Sequence, residues 1–121
     1  MKKVILASVL AISAVSVQAA ATQVYCSGTA GNGTPSATSS VTTENYVKSA
    51  FTPKCSANTH VSGEDGGAYY RVGSGSIKGK TRYAGTSAGG AVVAAGPCSA
   101  ASGCVASDAT TAMTSSFAPT S

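Results

Sequence analysis

The residues of this chain able to do chemistry are few, and four cysteines lead them: Cys26, Cys55, Cys98 and Cys104. The C-x-x-C spacing of a zinc site is absent, so no metal ligand set is expected. An even number of cysteines behind an export leader points to two disulfides instead. Three pairings are open. The flexible Ser-Ala-Ala-Ser-Gly spacer between Cys98 and Cys104 favours a local bridge, which leaves Cys26 for Cys55. That second bridge closes the longer loop and should contribute about 3 kcal/mol in the chain-entropy view.

Other motifs match catalytic patterns only in part. Gly85-Thr86-Ser87-Ala88-Gly89 has the G-x-S-x-G form of a nucleophile elbow, which needs a later acid and His on a large α/β sheet. The single histidine, His60, lies upstream, so a Gly/Ser turn is the expected role. Gly79-Lys80-Thr81 matches the end of a P-loop, but the first glycine of that motif is missing, since position 74 is Ser74. Glu64 and Asp65 are adjacent, so they diverge and make no separated acid/base pair. Calcium binding by that turn would need more oxygen ligands. Tyr69, Tyr70, Arg71, Arg82 and Tyr83 form a candidate aromatic and basic interaction surface, with cross-strand packing as the competing use. No catalytic residue, metal or cofactor is expected.

The elements that must hold these residues begin after a leader. Lys2 and Lys3 precede an apolar run from Val4 to Val17, and Val17-Gln18-Ala19 supplies small residues for cleavage. Residues 1–19 therefore read as a signal peptide, with Ala21 as the alternative end, and no membrane insertion is expected after cleavage. Without Lys2 and Lys3, six basic residues face four acidic ones, a net charge of +2. That weak, scattered charge argues against nucleic-acid binding. With two Phe, five Tyr and no Trp, the core must be thin and gains from covalent staples.

Residues 20–42 read as an N-terminal strand at Thr22–Cys26 followed by a Ser/Thr/Gly-rich loop, in which Asn32-Gly33-Thr34 also matches a glycosylation sequon. Thr43 to Phe51 is the candidate short helix, with Thr43 as cap and Tyr46, Val47, Ala50 and Phe51 on one stripe. Pro53 ends it. Four short β-prone runs follow, over about 56–62, 68–77, 81–86 and 91–95, separated by Gly63–Gly67, Lys78–Lys80 and Ser87–Gly90. Alternation puts Tyr70 and Val72 on one face, and Tyr69, Arg71, Gly73 and Gly75 on the other, where the glycines would admit a close neighbour. Residues 107–121 are a tail or a short helix, with Ser107 and Asp108 as its start.

Phe51-Thr52-Pro53-Lys54-Cys55-Ser56-Ala57-Asn58, with Val72-Gly73-Ser74-Gly75-Ser76-Ile77-Lys78-Gly79-Lys80 and the later cysteine pair, resembles small exported proteins of Gram-negative bacteria. The resemblance covers about the last two-thirds of the mature chain and implies export and a shared fold. The expected fold is α+β and β-rich: a small antiparallel meander with one short helix, stapled by two disulfides, over residues 43–106. The expected function is a non-enzymatic module, periplasmic or at the cell surface, that binds a protein partner or self-associates. Strand edges around Ser56–Ser62 and Ala91–Ala95 are the candidate sites of self-association, with coverage of each edge by the N-terminal strand, the 27–42 loop or the C-terminal tail as the favoured alternative. A secreted effector or inhibitor acting on another macromolecule is the alternative.

Overall fold

The computed structural model describes residues 21–36, 46–47, 49–89 and 91–116; the leader falls on residues outside these. Five antiparallel strands form one sheet in the order β1-β4-β5-β6-β7: β1 (Ala21–Ser27), β4 (Thr59–Asp65), β5 (Tyr70–Ser76), β6 (Thr81–Thr86) and β7 (Val93–Pro97). A second pair, β2 (Gly31–Asn32) and β3 (Lys54–Cys55), flanks it. The helix α1 (Ala106–Ser116) lies across the sheet. The β-rich α+β meander with one short helix and bridges Cys26–Cys55 and Cys98–Cys104 is thus the fold.

The turns at Lys78–Lys80 and at Ser87–Gly89 fall where expected. Gly63 does not. It sits inside β4, and the hairpin loop is confined to residues 66–69. A Cβ on Gly63 would stand 2.5 Å from the Tyr25 ring and 2.8 Å from the Tyr70 hydroxyl, so this glycine makes room for rings rather than for a turn. The Ser56–Ser62 edge is covered by the N-terminal strand, the favoured alternative, because β1 pairs with β4 from Ala21↔Asp65 to Ser27↔His60. A bulge at Tyr25 shifts the register between Val24 and Cys26 and turns both Tyr25 and Cys26 inward.

The helix is in a different place from the first candidate. Tyr46, Val47 and residues 49–51 are irregular, while Thr43, Glu44, Asn45 and Lys48 lie outside the described residues. The amides of Tyr46 and Val47 donate to the Asp65 carboxylate, at 2.9 and 3.0 Å. The apolar side chains that looked like one helical stripe pack separately: Tyr46 on Tyr70 and Phe51 on Tyr25. A distant carboxylate and two rings override a weak local propensity.

Helix α1 instead forms where Asp108 accepts a 2.8 Å hydrogen bond from the Val105 amide, closing the first turn. Its buried stripe is Asp108, Ala109, Ala112 and Met113. These small side chains let the helix sit directly on Gly73 and Gly75 of β5, with Ala84 of β6 beside them. A Cβ on Gly75 would lie 2.7 Å from that of Cys104. The core under the helix is correspondingly thin, made of Ala84, Ala109, Ala112, Met113 and Cys104, and the other buried apolar side chains are Tyr25, Cys26 and Tyr69.

Candidate functional site

The motifs of catalytic form occupy structural positions. Ser87 caps the meander, its hydroxyl accepting a 2.8 Å hydrogen bond from the Tyr70 amide, in a strand-to-strand turn. His60 pairs across the sheet with Gly75, five residues further along β5 than Tyr70. At about 3.3 Å per residue the two lie some 17 Å apart along the strand. The His60 Nδ1 atom is buried and has no hydrogen-bond partner among the described residues. Gly79 donates to the Ser76 carbonyl in a β-turn, and β6 rather than a helix follows Lys80.

Cys98, Cys104 and Asp108 bring three potential ligand atoms within 4.8 Å of one another. They do not fit a metal, because both sulfurs are spent in a disulfide and the carboxylate is saturated by other donors. Asp108 is only 1% exposed. Burial alone would raise its carboxyl, but hydrogen bonds from Val105, Ser99 and the Arg82 guanidinium outweigh that and hold it below the usual range.

The five candidate surface residues do not share a surface. Tyr69, Arg71 and Arg82 face α1, whereas Tyr70 and Tyr83 point to the opposite side. Arg71 is buried in an ion pair with Glu64, its guanidinium 5.6 Å from the centre of the Tyr69 ring. The Tyr69 hydroxyl donates to the same Glu64 carboxylate. Burial, followed by the Glu64 charge, pushes the Tyr69 phenol upward. Arg82 reaches Asp108 and the Ala95 carbonyl, each at 3.3 Å. Burial and a hydrogen bond with Tyr25 raise the Tyr70 phenol as well.

Opposite α1, the described residues cover only part of the sheet. Tyr25, Tyr46 and Phe51 overlie the Tyr70 end. Beside them Val61, Val72, Tyr83 and Val92 line an open apolar hollow of about 220 Å³. Tyr83 is 47% exposed and Val92 71%. On the far side of Tyr83 lies a polar hollow of about 260 Å³, lined by Thr59, Ser74, Ser76, Lys80 and Thr81. Val61, Val72 and Val92 were not among the expected site residues. The signal for this face was the alternation in β5, because a strand with glycines on one side has its larger side chains on the other.

The two sheet edges are poor templates for adding a strand. The outer side of β1 is occupied at Tyr25, whose carbonyl accepts from the Thr34 amide at 2.9 Å, and by the Cys26–Cys55 bridge. On the other edge β7 carries a register shift opposite Arg82 and Tyr83, gives its Ala95 carbonyl to Arg82, and ends at Pro97. Among the described residues no helix is long and apolar enough to cross a membrane. No family model, curated protein or solved structure matches this chain.

Proposed function

We propose that the chain is an exported, non-enzymatic interaction module that docks a protein partner on the open sheet face around Tyr83. The observation that carries this reading is the row Val72, Tyr83 and Val92 beside a ring-sized hollow, on the face α1 leaves uncovered. An antiparallel sheet with one side in water ordinarily alternates apolar inward and polar outward. A cluster of exposed aliphatic and aromatic side chains on that side marks an interaction surface. Tyr83 combines an apolar ring with a hydroxyl, the chemistry enriched at protein interfaces.

Export is supported by the leader pattern and is compatible with the two disulfides. The blunted edges favour the open face over strand addition as the route of any self-association. A photo-crosslinking residue at Tyr83 or Val92, in the cell that makes the protein, tests the reading. Defined adducts are expected at both positions and not at Thr114, exposed on α1. Adduct masses distinguish a second copy from another protein. Absence of adducts at Tyr83 and Val92, or equal labelling at Thr114, would overturn it.

A further inference from the structure

We infer that the partner docked on the Tyr83 face is an acidic peptide segment, with an apolar side chain in the hollow beside Val92 and carboxylates in the polar hollow at Lys80. The inference rests on the docking reading and adds the chemistry of the partner. The two hollows adjoin: Ser74 and Tyr83 line both, so one extended segment crossing Tyr83 reaches each of them. The polar hollow brings Thr59, Ser74, Ser76 and Thr81 together with Lys80. Hydroxyls and an ammonium can all donate, and an ionised carboxylate can only accept. The Ser76 hydroxyl already accepts from the Lys78 amide, at 3.2 Å, which leaves its own proton to give.

The charges agree with this. Glu64, Asp65 and Asp108, the acidic residues among the described ones, are each engaged within the fold. Glu64 is buried against Arg71 and Tyr69, and Asp108 is buried among donors from Ser99, Val105 and Arg82. Asp65 accepts from the amides of Tyr46, Val47 and Gly67. Lys78 and Lys80, by contrast, are exposed in the one turn between β5 and β6. Asp65 pairs with Tyr70, at the opposite end of β5 from that turn. At about 3.3 Å per residue the strand separates the two ends by about 20 Å. That is more than twice the Debye length of about 8 Å at physiological ionic strength. Among the described residues the lysine end of the face therefore keeps its positive field, which complements an acidic segment.

Selection from a random peptide library displayed on phage, against the disulfide-bonded chain, tests this. Enriched peptides should carry an excess of Asp and Glu around one aliphatic or aromatic residue. A synthetic peptide from that set should bind about tenfold more weakly to Lys78→Gln/Lys80→Gln and equally well to Lys78→Arg/Lys80→Arg. Its affinity for the unsubstituted chain should also fall as salt rises from about 0.05 to about 0.3 M, a readout that needs no variant. No enrichment, enrichment without an acidic excess, or affinity indifferent to the lysines and to salt would overturn the proposal. Dimerisation of the chain through Tyr83, or tighter binding to phosphatidylglycerol vesicles than to the peptides, would assign the face to another occupant and overturn it too. Crosslinks at Tyr83 and Val92 without any acidic preference would remove the partner's chemistry alone, whereas missing crosslinks would remove the face.

Discussion

Gly73 in β5 lies so close to Ala109 in α1 that a Cβ on the glycine would overlap the alanine's main-chain oxygen. The contact is backbone to backbone, so no rotamer change relieves it. Gly73→Ala should therefore push the helix off the sheet and cost about 3 kcal/mol. In a domain of this size that corresponds to a Tm drop of roughly 10 °C or more. Gly85→Ala is the control, because its Cβ would meet only Val92 and Val72 methyls at 3.6 and 3.7 Å. Thermal melts of the two variants should differ clearly, with Gly85→Ala near the parent.

The two bridges differ in the loops they close, with separations of 29 and 6 residues. Chain entropy assigns them roughly 3.5 and roughly 2 kcal/mol. The smaller loop is also tied by Asp108 to Ser99 and Val105, which persists without the bridge. Replacing Cys26 and Cys55 with Ser should lower the Tm by more than the same change at Cys98 and Cys104. Equal losses would refute the ranking.

Glu64 and Arg71 stand directly opposite one another on β4 and β5, and both are buried. Removing Arg71 leaves the Glu64 carboxylate in the interior without its counter-charge. Arg71→Met should destabilise by about 3–5 kcal/mol in urea unfolding. The double variant Glu64→Leu/Arg71→Met should recover part of that loss, since an apolar pair replaces the buried ion pair while the Tyr69 hydroxyl loses its Glu64 acceptor. A double variant as unstable as the single one would contradict this.

The Asp108 carboxyl titrates below its unfolded value, near 3.9, so its hydrogen bonds stabilise the fold fully only above that pH. As pH falls through the lower folded value the stabilisation disappears. Stability of the parent should decline below about pH 4 more steeply than that of Asp108→Asn, which starts lower and is flatter. Equilibrium unfolding across pH 2 to 6 measures the difference, and parallel curves would show that Asp108 contributes no linked protons.

The sheet was largely legible because its signals are local. Turn residues at Lys78–Lys80 and Ser87–Gly89 mark strand ends, and the period of two separates Tyr70 and Val72 from Arg71, Gly73 and Gly75. The bridge pairing followed from a short spacer, a distance that sequence expresses directly. A helix in the chain was expected too, yet the stronger amphipathic stripe lay at the wrong end. Tyr46 to Phe51 read as a helix face, while Ala106–Ser116, diluted by Ser and Thr, is the segment that folds as one.

What decided between them is not written in either segment. Gly73 and Gly75 make a shallow bed that takes Ala109 and Met113 at close range, and the burial of α1 there outweighs its weak propensity. Asp65 takes the amides of Tyr46 and Val47, across 19 and 18 residues of chain, before a helix can use them. The same kind of long-range pairing seats β1 against β4 and so moves the sheet's edge. By itself, then, the sequence determined the strands, their faces and the staples, because those depend on neighbours in the chain. Only the tertiary structure decided which segment became the helix, which edge was covered and which face stayed open, because those depend on partners far along it.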